Sequence, residues 1–371
     1  MKIELVYDHK ESEKNIISGK PEGKFIDIDS CGPEAAGGWR NRLIFGDNLI
    51  ALKLLHRDDN IKGKVALIYL DPPFATNQSF KGGRDRTATI SKSARDATVY
   101  DDFLNGAAYL EFMRQRLILM RELLAESGSI YVHIDCKVGH YLKIIMDEVF
   151  GRHRYVNDIT RIKCNPKNFR RKGYGNIKDM VLFYTKSEQY TWNDPREPFS
   201  REEVERLFPK IDAGGQRYTT TPLHAPRETR NGPTGRPWQG LKPPPGRHWR
   251  CHPRQLEELD RQGLIEWSAK GNPRKKIYAG EITAKGKKRQ DLWEFKDHPY
   301  PSYPTEKNLA MLRMLVETSS NPGDLVLDAF VGSGSAAAAA ELTGRRWLGI
   351  DNSPVAIEVC KNSVRQSQRI G

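Results

Sequence analysis

Two stretches of the chain carry residue types that could bind a cofactor and act on a second substrate. The first is Asp71-Pro72-Pro73-Phe74, which follows a short apolar run at residues 65–70 that is typical of a buried strand. Prolines restrict the backbone and donate no N–H, so a carboxylate and an aromatic ring would be held in a stiff loop. Open α/β sheets bind ligands at the carboxyl ends of their strands, although Asp and Pro are also ordinary turn residues.

The second stretch combines a strand, a Gly-x-Gly loop, a helix and a strand that ends on an acidic residue. Residues 325–328 lead into Phe330-Val331-Gly332-Ser333-Gly334, and the strand at 347–350 ends at Asp351. The glycines permit close approach of the backbone to a ligand, and Asp351 could accept hydrogen bonds from a ribose. The third glycine of a dinucleotide site and the lysine of a phosphate-binding loop are missing. S-adenosylmethionine therefore fits, and a plain β–α turn is the alternative.

Strand-like and helix-like patterns alternate around these stretches, which predicts a mostly parallel sheet. Residues 42–48 read as a strand closing on Gly46-Asp47-Asn48, and Asp47 or Asn48 can cap the helix at 49–55. With the strand at 65–70 this gives a β–α–β unit that would place Asp47 and Asp71 at one sheet edge. Further helices are predicted at 109–124, 141–150, 253–261 and 305–319, and further strands at 129–135, 155–163 and 180–185, the last two as a hairpin at the sheet edge.

Three other segments have open interpretations. His133 and Asp135 stand at a strand end, where they could line a site, although structural hydrogen bonds are the commoner role. The polar stretch 75–102 is longer than a normal connection and is either a lid or substrate clamp, or disorder without function. Residues 1–40 are weakly patterned, and we expect a loosely packed lead-in there.

The distribution of charge points to a polyanionic partner. The 371-residue chain has a formal net charge of +13, and residues 151–300 hold 32 Lys and Arg against 18 Asp and Glu. The rest of the chain is nearly neutral, with 28 basic and 29 acidic residues. The same segment contains five of the seven tryptophans. Basic residues interleaved with aromatics suit nucleic acid, and so localised an excess is unusual for a merely solvated surface.

Other protein classes are disfavoured by composition. No apolar run approaches the roughly 18–20 residues that span a membrane, and the N-terminus lacks a signal-peptide pattern. The five cysteines are scattered without CxxC spacing, which favours reduced thiols over disulfides or zinc. Arg250-Cys251-His252 has no second pair of ligands nearby, so no metal site is predicted. We expect a cytoplasmic, nucleoid-associated protein of a prokaryote.

The order of the motifs resembles one enzyme family. Asp71-Pro72-Pro73-Phe74 comes first and Phe330-Val331-Gly332-Ser333-Gly334 last, with Gly46-Asp47-Asn48-Leu49, Gly246-Arg247-His248-Trp249-Arg250 and Tyr303-Pro304-Thr305-Glu306-Lys307 as further matches. This arrangement resembles the β class of the S-adenosylmethionine-dependent DNA amino-methyltransferases, which methylate adenine N6 or cytosine N4. The resemblance covers residues 41–365 and implies an α/β, Rossmann-like fold. That fold has a mostly parallel seven-stranded sheet, circularly permuted motif order and an irregular inserted target-recognition region.

The resemblance also divides the chain and assigns roles within it. It gives a lead-in at 1–40, a catalytic part at 41–186, a target-recognition region at 187–300 and a cofactor-binding part at 301–371. Asp47 would hold the adenine ring of S-adenosylmethionine, and Asp351 its ribose. Thr305 and Lys307 would reach its carboxylate, and Asp328, Phe330, Gly332, Ser333 and Gly334 would surround its methionine part. The candidates for DNA contact are Arg230, Arg236, Arg247 and Arg250.

By the same resemblance, Phe74 would stack on a base flipped out of duplex DNA. The Asp71 carboxylate and the Pro72 carbonyl would accept hydrogen bonds from its exocyclic amine. Asp at the head of the tetrad favours adenine N6. The alternatives are an N4-cytosine methyltransferase, an RNA adenine methyltransferase and a DNA-binding protein without catalysis. Beyond duplex DNA, the expected partners are a cognate restriction endonuclease and a second copy of the chain.

Four positions depart from the commoner family pattern, each in a chemically mild way. Phe74 stands where Tyr is commoner, Ser335 where Thr is usual, Asp351 where Glu is frequent and Asn308 where Pro is common. We expect these departures to affect cofactor affinity more than activity.

Overall fold

The chain forms two compact units. The computed structural model describes residues 4–23, 26–35, 38–73, 79–82, 97–101, 106–166, 172–229, 232–298 and 306–369. Unit 1 comprises residues 1–195 and 290–371, and unit 2 comprises residues 196–289. Unit 2 lies within the predicted target-recognition region, 187–300, whose last residues belong to unit 1.

Unit 1 contains both motifs found in the sequence. Its first part has α1 (Glu13–Ser18), β1 (Ile26–Ala35), β2 (Trp39–Phe45), α2 (Asn48–Leu55), β3 (Val65–Leu70), β4 (Ser79–Gly82), β5 (Ala97–Asp101), α3 (Gly106–Leu123), β6 (Leu124–Ile134), α4 (Cys136–Phe150), β7 (Tyr155–Ile162) and β8 (Lys178–Thr185). Of the stretch 75–102, the structure describes only β4 and β5, which pair antiparallel.

Unit 2 is built from short elements, and unit 1 resumes after it. Unit 2 has β9 (Arg196–Glu197), α5 (Arg201–Leu207), β10 (Lys210–Ile211), β11 (Arg217–Pro222), β12 (His224–Pro226), β13 (Arg247–Trp249), α6 (Pro253–Arg261), β14 (Ile265–Trp267), β15 (Pro273–Tyr278), α7 (Ala279–Thr283) and β16 (Lys287–Lys288). The chain returns with β17 (Leu292–Glu294), α8 (Leu309–Ser319), β18 (Leu325–Asp328), α9 (Ser335–Leu342), β19 (Arg346–Asp351) and α10 (Pro354–Gln368). Among the described residues, none of these helices is long and apolar enough to cross a membrane.

A mostly parallel sheet forms the centre of unit 1. In the described part of the chain it has nine strands, in the order β1-β2-β19-β18-β3-β6-β8-β7-β17. The five neighbouring strands β2, β19, β18, β3 and β6 are mutually parallel, whereas β8 pairs antiparallel with both β6 and β7. The sheet has two strands more than the predicted seven, because the N-terminal segment adds β1 at one edge and the chain after unit 2 adds β17 at the other. The predicted β7–β8 hairpin is therefore not at the edge.

Strand β3 is buried on both faces, and its alternating side chains enter two different cores. Ile68 and Leu70 pack in a core with residues of α2, α3 and α4. Leu67 and Tyr69 pack in a second core with residues of α8, α9 and α10. Because alternate residues of a strand face the same side, Asp71 continues the side of Tyr69 as β3 ends.

Some predictions about local structure are wrong; helix α4, for example, begins at Cys136 and not at residue 141. The N-terminal segment is not loosely packed where it is described. Ile16 of α1 is 1% exposed, the Tyr7 hydroxyl donates to Glu111, and Lys10 pairs with Glu148. These contacts join residues about a hundred positions apart, so local patterning does not reveal them. Helix α8 begins at Leu309 rather than at 305, because the Asn308 side chain accepts from the Met311 N–H and caps the helix there.

Candidate active site

The sheet brings the two motifs together, because β3 and β18 are parallel neighbours. Asp71 follows the end of β3 and Asp328 ends β18, so both carboxylates lie at the carboxyl edge of the sheet. They line an open cleft with about 300 Å³ of empty space. Other predicted site residues that line this cleft are Lys307, Phe330, Gly332 and Ser333, and residues not predicted for the site include Tyr69 and Leu312.

Asp71 offers an unused acceptor to the cleft. Its side chain is 12% exposed, and Oδ2 forms an ion pair with Nζ of Lys307. Oδ1 is buried and accepts no hydrogen bond among the described residues. A buried acceptor left unpaired costs about 1–3 kcal/mol, so Oδ1 is suited to an N–H donor of a ligand. Pro72 is buried and Pro73 half-buried beside it, whereas Phe74 lies outside the described residues.

Lys307 forms an ion pair with Asp71, a contact that the sequence did not predict. The family resemblance assigned it to the carboxylate of the cofactor, and in the structure its ammonium group contacts Asp71 while lining the same cleft. The cation can therefore contact either Asp71 or the carboxylate of a ligand in the cleft. Thr305, the other residue assigned to that carboxylate, lies outside the described residues.

Asp328 is a carboxylate held in a poorly solvated position. It is 5% exposed, and Oδ1 accepts a hydrogen bond of 3.0 Å from the Phe330 N–H. Burial raises the pKa of Asp328 to about 8, and the negative charges of Asp71 and Asp351 act in the same direction. Asp328 thus combines a backbone contact to the glycine loop with a raised affinity for a proton.

Backbone conformation explains the glycines of the loop. Gly332 and Gly334 have φ angles of 48° and 78°, a region that other residues rarely adopt. A Cβ on Gly334 would lie 2.6 Å from Sγ and 2.8 Å from Cα of Cys360 on α10. Gly334 also precedes the first residue of α9, whose N-terminal N–H groups point toward the loop. The loop therefore brings its backbone close to α10 and to the N-terminus of α9, while Phe330, Gly332 and Ser333 line the cleft.

The Asp351 carboxylate supports this loop. Oδ2 accepts from the Gly332 N–H and Oδ1 from the Ser353 N–H, each at 2.9 Å. Burial raises the pKa of Asp351, against the opposing effect of these backbone donors. Each carboxylate oxygen can accept a second hydrogen bond, so the predicted ribose contact stays compatible with the geometry.

Asp47 caps α2 at the same sheet edge. Its Oδ1 accepts from the Leu49 and Ile50 N–H groups, and Oδ2 lies 3.4 Å from Nη2 of Arg116 on α3. The predicted cap is confirmed. Phe45 at the end of β2 pairs with Asp351 at the end of β19, so Asp47 lies close along the edge from the glycine loop. Asp47 is not among the residues lining the cleft.

Comparison with known proteins identifies the family. The profile of the DNA methylase family matches residues 65–362. The type II methyltransferase M.EcaI of Enterobacter cloacae is 44% identical over 360 residues, 95% of this chain and 75% of that protein. The chain belongs to the DNA methylase family. The predicted family and its cofactor, S-adenosylmethionine, are thus confirmed.

Two further similarities are more partial. The StyLTI Mod subunit, from a type III restriction-modification enzyme of Salmonella typhimurium, is 25% identical over 80% of this methylase and 49% of its own length. A solved structure of the M1.HpyAVI–SAM complex is 15% identical, covers 87% of this chain and 98% of that chain, and has a TM-score of 0.44.

The residues around the cleft of the methylase fit S-adenosylmethionine. The Gly332 and Ser333 backbone leaves room for a ligand, and the aromatic ring of Phe330 lines the cleft beside them. Lys307 supplies a cation that suits the amino-acid carboxylate, while Asp328 supplies an acceptor for its positively charged part. This donor and acceptor set matches a zwitterionic, sulfonium-bearing ligand.

Sequence reasoning missed a cluster of side chains that contacts Ala329 and Phe330 at the start of the glycine loop. Asn48 donates from Nδ2 to the Ala329 carbonyl at 2.8 Å and accepts from Nε of Arg116 at 2.5 Å. The Arg116 guanidinium lies 3.4 Å from the centre of the Phe112 ring, which in turn packs against Phe330. Burial lowers the pKa of Arg116 to about 10. Helix periodicity places Arg116 on α3, but no local signal pairs it with Asn48.

The predicted DNA contacts lie in unit 2. Arg236, Arg247 and Arg250 are exposed, and Arg230 lies outside the described residues. The sequence suggested that basic residues interleaved with tryptophans in this part of the chain bind nucleic acid. Trp238 and Trp249 instead form the small core of unit 2, and Trp293 packs in unit 1. A domain with few aliphatic residues uses these large rings for its own core.

Proposed function

We propose that this methylase transfers a methyl group from S-adenosylmethionine to N6 of adenine in duplex DNA, as part of a restriction-modification system. The observation that carries the proposal is the Asp71 carboxylate, which presents in a cleft shared with the glycine loop a buried oxygen that has no hydrogen-bond partner among the described residues. Bound S-adenosylmethionine supplies an electrophilic methyl group on sulfonium. The chain itself has to position an amine acceptor and the base that carries it.

We assign a separate part of this positioning to Asp71, Pro72 and Phe74. Oδ1 of Asp71 accepts a hydrogen bond from the exocyclic amine of the flipped base, and the Pro72 carbonyl accepts a second. Both bonds draw the nitrogen lone pair out of conjugation with the ring and direct it toward the methyl group. Phe74 stacks on the base. Because Asp71 and Pro72 directly follow the buried strand β3, their acceptor groups are in place before the base arrives, and the site stabilises the transition state largely by preorganised electrostatics.

Adenine is proposed as the target because an aspartate begins the tetrad. In enzymes of this kind Asp favours adenine, and cytosine-N4 enzymes more often carry Ser at that place. A carboxylate accepts two hydrogen bonds with full negative charge, which strongly polarises an amine. No feature of the described residues favours cytosine. Methylation of cytosine N4 is one of the outcomes of the test below.

Unit 2 is proposed to hold the DNA backbone. It contains 21 Lys and Arg against 11 Asp and Glu. Arg247 donates to Nδ1 of His224 at 3.2 Å, Arg250 donates to the Pro222 carbonyl at 3.0 Å, and Arg274 donates to the Thr220 carbonyl at 2.7 Å.

These contacts fix the three arginines close to one another. Burial and, after it, the charges of Arg247, Arg250 and Arg274 lower the pKa of His224. Among the described residues none of the three arginines forms an ion pair with a carboxylate within 4 Å. Arg250 and Arg274 are anchored on backbone carbonyls and Arg247 on a histidine ring, and guanidinium groups held in this way, without an acidic partner among the described residues, suit phosphate. We name this set, with His224, the arginine cluster.

Relatives suggest the biological setting. M.EcaI is a type II methyltransferase, and the StyLTI Mod subunit belongs to a type III restriction-modification enzyme. We extend the proposal to a partner endonuclease whose site is protected by this methylation. A second copy of the chain is a further candidate partner.

Sequencing of modified DNA tests the proposal directly. DNA from cells that express the protein is read by long-read sequencing that detects base modification, with cells expressing Asp71→Ala as the control. We expect N6-methyladenine in one sequence context with the wild-type protein alone. N4-methylcytosine would redirect the proposal to the other amine, and unmodified DNA despite demonstrated cofactor binding would overturn it.

A further inference from the structure

The guanidinium of Arg116, on α3, is joined to two segments that follow different strands of the sheet. Arg116 is 4% exposed. Its Nη2 lies 3.4 Å from Oδ2 of Asp47, which follows β2, and its Nε donates at 2.5 Å to Oδ1 of Asn48. Nδ2 of Asn48 donates in turn at 2.8 Å to the carbonyl of Ala329, which follows β18. A short chain of hydrogen bonds therefore leads from Arg116 to the start of the glycine loop.

A second set of contacts reaches the same loop through aromatic rings. The Arg116 guanidinium lies 3.4 Å from the centre of the Phe112 ring, and its Nη1 donates to the Phe112 carbonyl at 3.0 Å. The Phe112 ring packs against Phe330, with 6.1 Å between the ring centres, and Phe330 lines the cleft. Arg116 thus acts on two consecutive residues of the loop, on Ala329 through Asn48 and on Phe330 through Phe112.

The charge of Arg116 is difficult to explain by packing alone. Burial lowers its pKa to about 10, so the guanidinium is still charged at neutral pH. Among the described residues, Asp47 is the one carboxylate within 4 Å of this charge, and the Asp47 side chain is itself 49% exposed. An apolar side chain of similar volume usually stabilises a core at least as well as a buried charge does. The contacts of Arg116 with the loop give the charge a role that an apolar side chain could not fill.

We propose that Arg116 is a positioning residue for the cofactor, which holds the N-terminus of α2 and the start of the glycine loop in a fixed arrangement. The family resemblance assigns Asp47 to the adenine ring of S-adenosylmethionine and Phe330 to its methionine part. Because one guanidinium contacts both segments, neither has to be ordered at the moment when the cofactor binds. The inference concerns the cofactor site and holds whichever base is methylated.

An arginine-to-lysine substitution tests this role. Lysine keeps the positive charge but lacks the planar group that contacts Asp47, Asn48 and Phe112 together. In Arg116→Lys we expect the affinity for S-adenosylhomocysteine, measured by calorimetry, to fall roughly tenfold or more, because binding must then order the loop. Methylthioadenosine lacks the amino-acid end of the cofactor. Its affinity should fall less, so the preference of the protein for the longer ligand should become smaller.

Arg114→Lys is a matched control for the loss of a buried arginine. Arg114 lies on the same helix, is 3% exposed, pairs with Glu111 at 2.9 Å and donates to the Glu11 carbonyl. We expect both variants to unfold at lower urea concentration than the wild type, and Arg114→Lys to bind both ligands with wild-type affinity. Wild-type affinity for S-adenosylhomocysteine in folded Arg116→Lys would mean that Arg116 serves stability alone, which would overturn the inference.

A double-mutant cycle shows whether Arg116 acts through Asn48. Asn48→Ala removes both the acceptor for Arg116 and the donor to the Ala329 carbonyl. If the effect passes through Asn48, the double variant Arg116→Lys/Asn48→Ala should bind S-adenosylhomocysteine hardly more weakly than Arg116→Lys alone. Independent damage to packing predicts instead that the two losses of affinity multiply. Multiplied losses, with all three proteins folded, contradict the inference.

Asn48→Asp keeps the inference testable where Arg116→Lys fails to fold. An ionised aspartate still accepts from Arg116 but cannot donate to the Ala329 carbonyl, so the substitution removes only the step to the loop. We expect weaker binding of S-adenosylhomocysteine, and wild-type affinity in the folded variant would count against the inference. None of these measurements needs DNA. A wild-type protein that binds cofactor but methylates no base overturns the proposed function, while the affinities decide the role of Arg116 separately.

Discussion

At the scale of single residues, two neighbouring acids have opposite electrostatic surroundings. Asp71 is paired with the Lys307 cation, whereas Asp328 accepts a hydrogen bond from the Phe330 N–H and faces the charges of Asp71 and Asp351. Burial and, after it, those two negative charges raise the pKa of Asp328 to about 8, against the opposing effects of the Phe330 N–H and of Lys307. The cleft therefore holds one carboxylate that is ready to accept hydrogen bonds and one that takes up a proton near neutral pH.

Replacement of Asp71 separates catalysis from cofactor binding. In Asp71→Ala we expect methylation of DNA to fall by about 10²–10³ or more, the effect of removing one preorganised polar group from a transition state. Affinity for S-adenosylmethionine, measured by calorimetry, should largely survive, because the glycine loop is unchanged. Asp135→Ala is a matched control, since Asp135 caps α4 outside the cleft. Full methylation activity of the Asp71 variant would remove the basis of the proposed function.

Asp328 should make stability fall as the pH rises. Its pKa is about 8 in the folded protein, above the value of about 3.9 for an unfolded chain. Below the lower value both states are protonated and stability is unaffected. As the pH rises toward 8, the unfolded state releases a proton that the folded state keeps, which costs up to about 1.4 kcal/mol per pH unit. Urea unfolding of Asp328→Asn without cofactor should lack this dependence, and identical pH profiles would contradict the assignment.

Gly334 can be tested against a glycine of similar conformation. Gly334 and Gly344 have φ angles of 78° and 70°, but a Cβ on Gly344 would meet no atom of the described residues within 4 Å. Gly344→Ala therefore reports the backbone strain alone, about 1 kcal/mol. Gly334→Ala adds the collision with Cys360, and we expect a further decrease of about 1–3 kcal/mol in the free energy of unfolding. Equal decreases in the free energy of unfolding for the two variants, measured by chemical denaturation, would show that α10 shifts to accommodate the added methyl group.

At the scale of elements, the regular parts of the chain were predictable and their long-range partners were not. The strand at 65–70, the capped helix at 48–55 and the helix at 253–261 have strong local patterns, and each occurs close to where it was predicted. Strand β17 is three residues long, and its pairing with β7 depends on chain that is distant in sequence. A short strand of this kind has no periodicity by which sequence could reveal it.

The same limit applies to the candidate site. Asp71 and the glycine loop were found because both follow predicted strands and because the order of the two motifs resembles one enzyme family. The hydrogen-bonded set of Tyr69, His133 and Asp179 was found only in part: His133 was singled out, but its partners Tyr69 and Asp179 look like ordinary members of apolar strands. Alternation places Tyr69 on the same face as Asp71, so it could have been suspected. The register of β8 against β6, which brings Asp179 near His133, is not local information.

The arginine cluster gives a quantitative prediction for β11 to β15. For each DNA phosphate that is no longer bound by an arginine, the slope of log binding constant against log salt should decrease in magnitude by about 0.9. We expect Arg247→Gln, Arg250→Gln and Arg274→Gln to weaken DNA binding and to reduce this slope stepwise when combined. Fluorescence anisotropy on one DNA duplex over a salt series measures it. Arg201→Gln is the matched control, because Arg201 pairs with Glu205 at 3.2 Å on α5. A slope unchanged by all three substitutions would exclude the cluster from the DNA interface.

At the scale of the whole molecule, each unit has its own core. The core of unit 2 contains Leu223, Trp238, Trp249, Leu256 and Ile265, and these residues belong to neither of the two large cores of unit 1. The chain leaves unit 1 after Pro195 and returns at Gln290. Separate cores are what independently folding units require, and insertion of one unit into another is tolerated where few contacts cross.

Removal of unit 2 should therefore separate cofactor binding from DNA binding and methylation. A variant in which a long Gly/Ser linker replaces residues 196–289 keeps both cores and the whole cleft of unit 1. We expect it to bind S-adenosylmethionine in calorimetry with an affinity close to that of the intact protein. It lacks most of the excess positive charge, so DNA binding at moderate salt should become undetectable by anisotropy and methylation should cease. Retained DNA methylation would place target binding in unit 1. Loss of cofactor binding in a variant with normal far-UV circular dichroism would show that the cleft depends on unit 2.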